Sequence, residues 1–286
     1  MSELEKIAKQ MVAKGKGILA ADESTGTMTK RLSGVSVEST LENRLKFRET
    51  LFSAEGMKNH ISGVILYDET IKQKSSFGKT IPELIKSFGS IPGIKVDTGT
   101  KKLAGSPEEK ITEGLDGLRE RLTDYYKLGA RFTKWRAVYS IAEKYPSELA
   151  IKSNAHALAR YASLVQESKM VPIIEPEVLM DGKHDINKCF QVTSIVLKEC
   201  YKELKLHNVN LKGTILKPNM ILPGSESKNK SNTQEIAKMT LKCLKENVPI
   251  EVPGIAFLSG GQTEIEATQN LNEINKINDT NFLMSF

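Results

Sequence analysis

No hydrophobic run in this chain approaches the roughly 18 residues that a membrane-spanning helix needs, so no part of it is expected to enter a bilayer. Cysteine is scarce: Cys189, Cys200 and Cys243 are odd in number and show no CxxC spacing. That argues against a disulfide framework or a cysteine zinc site, and reduced thiols in an intracellular protein are expected. Cys189 and Cys200 fall among helical apolar positions and read as core. The four histidines (His60, His156, His184, His207) lie far apart, with neither HxH nor HxxxH, which argues against metal-dependent chemistry. His184 reads as a loop residue. No GxGxxG follows the first β-type run, and Lys14–Gly17 lacks the rest of a P-loop, so no dinucleotide or other cofactor is expected. Met1–Gln10 has no apolar segment of the kind a secretory signal carries. Low-complexity tracts and dividing linkers are also missing, which predicts one domain over residues 1–286. The net charge is +6, but the lysines are scattered and no nucleic-acid motif accompanies them. A small anionic substrate suits that charge at least as well as a nucleic acid does.

What the chain does contain is a repeat of β-type runs rich in Val, Ile, Leu and Phe. They are Gly17–Asp22, Gly63–Tyr67, Gly93–Asp97, Ala130–Arg136, Val171–Glu177, Gly213–Lys217, Gly254–Ser259 and Asn281–Phe286. Most begin at or near Gly or Pro, as buried parallel strands tend to. Helical patterns fill most of the gaps. Ile186, Cys189, Phe190, Val192, Val196, Leu197, Cys200 and Leu204 form an i, i+3/i+4 stripe over Asp185–Leu204. Leu118, Leu122, Tyr125 and Leu128 form another. Ser231 with Gln234, and Thr263 with Glu266, read as capping boxes. The gap from Asp68 to Pro92 is weaker, with a short helix suggested over Leu84–Phe88. Strand and helix alternating eight times predict a parallel sheet, and eight units favour an α/β (β/α)8 TIM barrel.

The chemistry of such a barrel sits at the C-terminal strand ends, and here those ends are polar. Asp22, Glu23 and Ser24 end the first run, Lys95 and Asp97 close the third, and Lys134 and Arg136 the fourth. Glu175 and Glu177 close the fifth, Lys217 the sixth, and Ser259, Gly260 and Gly261 the seventh. Residues at i and i+2 of a strand share a face, so each pair points the same way. A lone lysine at a strand end is usually a solvated rim residue; the recurrence at so many ends is what favours function. Lys217 follows Ile215 and Leu216 and precedes Pro218, surroundings that favour a neutral, nucleophilic amine able to form an iminium with a ketone. Lys134 would push the same way, and Glu175 and Asp22 could move protons. The Ser-Gly-Gly turn suits a phosphate, and Lys95, Arg136 and Arg31 could hold a second one.

Residues 17–26 (GILAADESTG), 93–97 (GIKVD), 132–136 (FTKWR), 171–177 (VPIIEPE), 216–220 (LKPNM) and 257–262 (FLSGGQ) resemble the motifs of class I fructose-bisphosphate aldolases, in order, and the match runs from about Gly15 to Phe286. The resemblance implies metal-free cleavage of fructose 1,6-bisphosphate to dihydroxyacetone phosphate and glyceraldehyde 3-phosphate in the cytoplasm. It implies Lys217 as the Schiff-base lysine, Glu175 as general acid/base, and Glu177 as the acid that tunes it. Lys134 would assist iminium formation, and Asp22 would act in C–C cleavage. Ser24, Arg31, Lys95 and Arg136 would be substrate contacts, with Ser259, Gly260 and Gly261 at the near phosphate. A homotetramer and binding to actin or other cytoskeletal partners are implied as well. The family pattern continues past Phe286 with a Gly-Arg phosphate contact, a final helix and a tail. Their lack leads to the expectation of weakened cleavage, or alternatively of an aldolase-like scaffold with little activity.

Overall fold

A computed structural model describes all 286 residues. Ten strands occur in chain order: β1 Gly17–Ala21, β2 Ile61–Leu66, β3 Ile91–Lys95, β4 Thr100–Leu103, β5 Ser106–Thr112, β6 Phe132–Tyr139, β7 Val171–Val178, β8 Ile215–Leu216, β9 Gly254–Ala256 and β10 Leu283–Ser285. Eight of them form one parallel sheet in the order β1-β2-β3-β6-β7-β8-β9-β10. The Ile18 N–H donates to the Phe286 carbonyl at 2.8 Å and brings the two outer strands together. The expected (β/α)8 barrel is therefore the fold found. β4 and β5 form a separate antiparallel hairpin that the sequence reading did not anticipate. Its residues are mostly polar or charged, and only Leu103, Glu109 and Thr112 are buried, so no apolar alternation marks it.

The strands alternate strictly between two apolar layers. Ile18, Ile65, Phe132, Ile173, Ile215 and Ala256 face the barrel axis. They pack there with Ile7, Ala8, Met11 and Val12, which come from the helix Glu3–Met11 and the residue after it. Val64, Leu66, Ile94, Trp135, Ile174, Leu216 and Ile255 face the helix layer outside. The axis is crowded by Phe132: a Cβ at Gly93 would lie 2.3 Å from its ring, and one at Gly63 would lie 3.0 Å away. Gly93→Ala is therefore expected to lower unfolding stability by about 1–3 kcal/mol, the usual range for overpacking a core. Urea unfolding checks this, and Phe132→Leu in the same chain should recover part of the loss.

Helix starts follow their caps. Ser24, Thr40, Thr80, Ser147, Asp185 and Thr263 each accept the N–H three residues on, a bond of about 1 kcal/mol. The capping box at Thr263 and Glu266 is present as expected. The one expected at Ser231 and Gln234 is not: Asn232 caps that helix and accepts from Glu235 N–H, one residue later. The two positions carry nearly equal capping signals, and the turn that delivers the chain selects between them. The weak gap holds helices Asp68–Ile71 and Ile81–Ser87, the second set by a Thr80–Glu83 box with Pro82 in its first turn. No helix is long and apolar enough to cross a membrane.

Candidate active site

The alternation that builds the core also builds the site. One pleat beyond the inner apolar layer, the same faces carry Lys95 after Gly93, Lys134 after Phe132, Glu175 after Ile173 and Lys217 after Ile215. β8 is paired over only two residues, yet the Lys217 N–H still donates to the Ile174 carbonyl at 2.7 Å. That bond continues the strand geometry through the lysine and turns its side chain toward β7.

Four of the expected residues form one connected chain. The Lys217 Nζ donates to Glu175 Oε1 at 2.6 Å. The Lys134 Nζ lies 3.0 Å from Glu175 Oε2 and donates to Asp22 Oδ2, also at 3.0 Å. Glu175 therefore bridges two lysines, and its side chain is only 4% exposed. Burial alone would push the Glu175 carboxyl up, but Lys134 and Lys217 outweigh it and hold the group below its ordinary value. Burial likewise opposes the Lys134 charge, and Glu175, Asp22 and Asp97 together hold its ammonium well above the usual lysine range. The apolar surroundings expected for Lys217 are absent at its tip: the amine meets a carboxylate, because the hydrocarbon of Ile215 and Leu216 packs below it in the two core layers.

A second set of charges surrounds this chain. Lys95 pairs with Asp97 at 2.6 Å, and Arg136 with Glu177. Asp97 also accepts the N–H of Gly99 at 3.1 Å. Ser24, Arg31, Lys95 and Arg136 line one cavity of about 910 Å³ together with Asp22 and Lys134, a volume sufficient for a phosphorylated sugar. Ser24 is also committed locally, since its hydroxyl caps the helix Thr25–Ser33. Arg31 is more than half exposed and pairs with Glu23 at 2.7 Å, so it stands at the cavity edge. Ser259, Gly260 and Gly261 do not line this cavity. They form a turn beyond β9 in which Gly260 and Gly261 have φ of +61° and +89°, conformations that favour glycine, and Gly261 packs against Met180.

The sequence reading missed the support beneath Asp22. Arg48 is buried and donates to the Glu23 carbonyl at 2.5 Å and to Thr70 Oγ1 at 2.8 Å. Arg44, one turn earlier on the helix Leu41–Phe52, grips both Glu69 oxygens at 2.9 and 2.6 Å. Asp68 accepts from Tyr125 Oη at 2.7 Å, and Tyr67, Lys72 and Arg121 join the cavity wall. The available signal was the pair of arginines four residues apart, which share one helix face.

Comparison with known proteins agrees with this geometry. The model of the Glycolytic family, described as fructose-bisphosphate aldolase class-I, matches residues 3–286. A probable class 1 fructose-bisphosphate aldolase of Xanthomonas campestris is 50% identical over all 286 residues, which cover 86% of that protein. Cytosolic fructose-bisphosphate aldolase 4 of Arabidopsis thaliana is 55% identical over 263 residues, 92% of this chain and 67% of that one. The solved fructose-bisphosphate aldolase of Plasmodium falciparum, in complex with TRAP and a small-molecule inhibitor, superposes with a TM-score of 0.98 at 46% identity, covering 99% of this chain and 82% of that one. This chain belongs to the class I fructose-bisphosphate aldolase family.

Proposed function

We propose that residues 1–286 act as one barrel domain that cleaves fructose 1,6-bisphosphate reversibly through a Schiff base on Lys217. The observation that carries this reading is the Glu175 carboxylate standing 2.6 Å from the Lys217 amine and 3.0 Å from the Lys134 ammonium. With its proton passed to Glu175, Lys217 attacks the C2 ketone, and the carbinolamine forms. Glu175 returns a proton to the C2 hydroxyl, water leaves, and the iminium remains. Asp22 then takes the C4 hydroxyl proton. The C3–C4 electron pair moves into the iminium to give an enamine, and glyceraldehyde 3-phosphate departs. Water protonates C3 while Asp22 gives its proton back to solvent, and hydrolysis of the iminium releases dihydroxyacetone phosphate and restores the amine. Lys134 helps keep Glu175 ionised between steps and bonds Asp22, and Glu177 holds Arg136 in place. Arg136, Lys95, Arg31 and Ser24 supply donors for the far phosphate, and the Ser259–Gly261 turn offers backbone N–H groups to the near one.

The substrate class is a sugar phosphate, and the compartment is the cytoplasm, by likeness to relatives named cytosolic. A homotetramer and actin contact belong to the same reading and rest on the family resemblance. Borohydride reduction with dihydroxyacetone phosphate is expected to add one triose phosphate to the chain, mapped to Lys217 by peptide mass. An adduct on Lys134, or labelling by a different sugar alone, would favour another Schiff-base barrel such as a transaldolase or a deoxyribose-phosphate aldolase.

A further inference from the structure

The helix Glu148–Glu167 and the helix Ile186–Leu206 pack side by side on the outside of the barrel. Across their seam, His156 of the first meets Glu203 of the second and His207, which caps the second helix. Glu203 and His207 are one turn apart, and that spacing puts both on one face. One ring nitrogen from each histidine and one carboxylate oxygen all lie within 4.8 Å of one another. We infer that His156, Glu203 and His207 form a binding site for a late first-row divalent cation, zinc above all.

The ligand chemistry is the first support. Two imidazoles and one carboxylate are a donor set that zinc accepts, with water completing the shell. Preorganisation is the second. The His207 Nδ1 lies 2.9 Å from the Glu203 main-chain carbonyl, which can only accept, so this bond holds the ring against Glu203. The His156 Nδ1 stands 3.0 Å from Glu203 Oε2, a contact in which a metal ion can replace the shared proton. Charge is the third. Glu203 has no lysine or arginine partner; its ion-pair contacts are the two imidazoles alone. Glu203 and His207 are mostly buried and held in place, while His156 is half exposed and leaves room for water ligands. The site lies on the outer helices and takes no part in the lysine chemistry. Its chemistry is distinct from a catalytic histidine cluster, and the scattered histidine positions conceal it, with the Glu203–His207 spacing as its one trace in the sequence.

The test is calorimetric titration of the metal-stripped chain with zinc chloride. One saturating site is expected, weakened tenfold or more by His156→Ala and by His207→Ala, and unchanged by His60→Ala. Zinc should raise the melting temperature of the parent chain and of His60→Ala, and leave that of the two site variants where it was. Cobalt bound in place of zinc should show d–d bands without a thiolate charge-transfer band. Circular dichroism of the metal-free variants, matching the parent, separates lost ligands from lost fold; His156, being half exposed, is the position least able to disturb it. Absence of saturable binding overturns the inference. So does binding that survives both histidine variants, or a thiolate band that assigns the ion to a cysteine.

Discussion

Replacing Lys217 with methionine is expected to lower kcat/KM for fructose 1,6-bisphosphate by about four orders of magnitude or more, with the fold retained. Four orders correspond to about 5.5 kcal/mol of transition-state stabilisation, a size appropriate to losing the group that carries the covalent intermediate. No neighbour can substitute for it. Lys134 is bonded to Asp22 and lies against Glu175, so its amine is charged and occupied. Methionine preserves an unbranched side chain of similar length above Ile215, and Glu175 keeps Lys134 as a counter-ion, so stability should change little. A coupled assay with unfolding curves for both proteins checks this. Activity within a hundredfold of the parent would show that Lys217 does not carry the intermediate.

The second large effect is expected at Glu175. Glu175→Gln should reduce kcat by about 10²–10⁴-fold, the usual contribution of a general acid/base, with a smaller change in KM. It should also destabilise the protein, because two buried ammonium groups lose their shared carboxylate; breaking a buried pair costs about 3–5 kcal/mol. The pH dependence has a definite sign. The Glu175 carboxyl is held below its ordinary value in the folded protein, so its contribution is fully present above the ordinary carboxylate value of about 4.3. It is lost as pH falls through the depressed folded value. The stability gap between the parent and Glu175→Gln should therefore be constant from neutral pH down to about 5 and close only in stronger acid. Urea unfolding across that range measures it. A gap already closed at pH 6 would mean that the carboxylate is not held by the two lysines.

The two effects differ in kind, and the difference follows from position. In the proposed reaction Lys217 forms the covalent bond, so its loss would remove a step of the chemistry. Glu175 bridges Lys134 and Lys217, so its loss would change the proposed proton transfer and the electrostatics of the site together. Arg48 belongs to neither class. It holds the Glu23 carbonyl from beneath, which fixes the loop carrying Asp22 at the proper height beside Lys134.

The local sequence, read without coordinates, determined the alternation that makes eight buried strands, the helix stripes between them and the face on which each strand-end charge lies. These are consequences of periods of two and of about 3.6 residues, and neighbouring residues set them. It also determined the Thr263 cap, but placed the cap of the preceding helix at Ser231, where Asn232 makes it. Only the tertiary structure decided which charges meet. Glu175 finds Lys217 42 positions away, and Asp22 finds Lys134 across 112. No local pattern encodes such distances, because they follow from barrel closure and from the stagger between strands. The charged hairpin β4–β5, Arg48 under Glu23 and the pairing of His156 with His207 were hidden for the same reason: a polar contact has no period, and its partner is chosen by where the packed core leaves it.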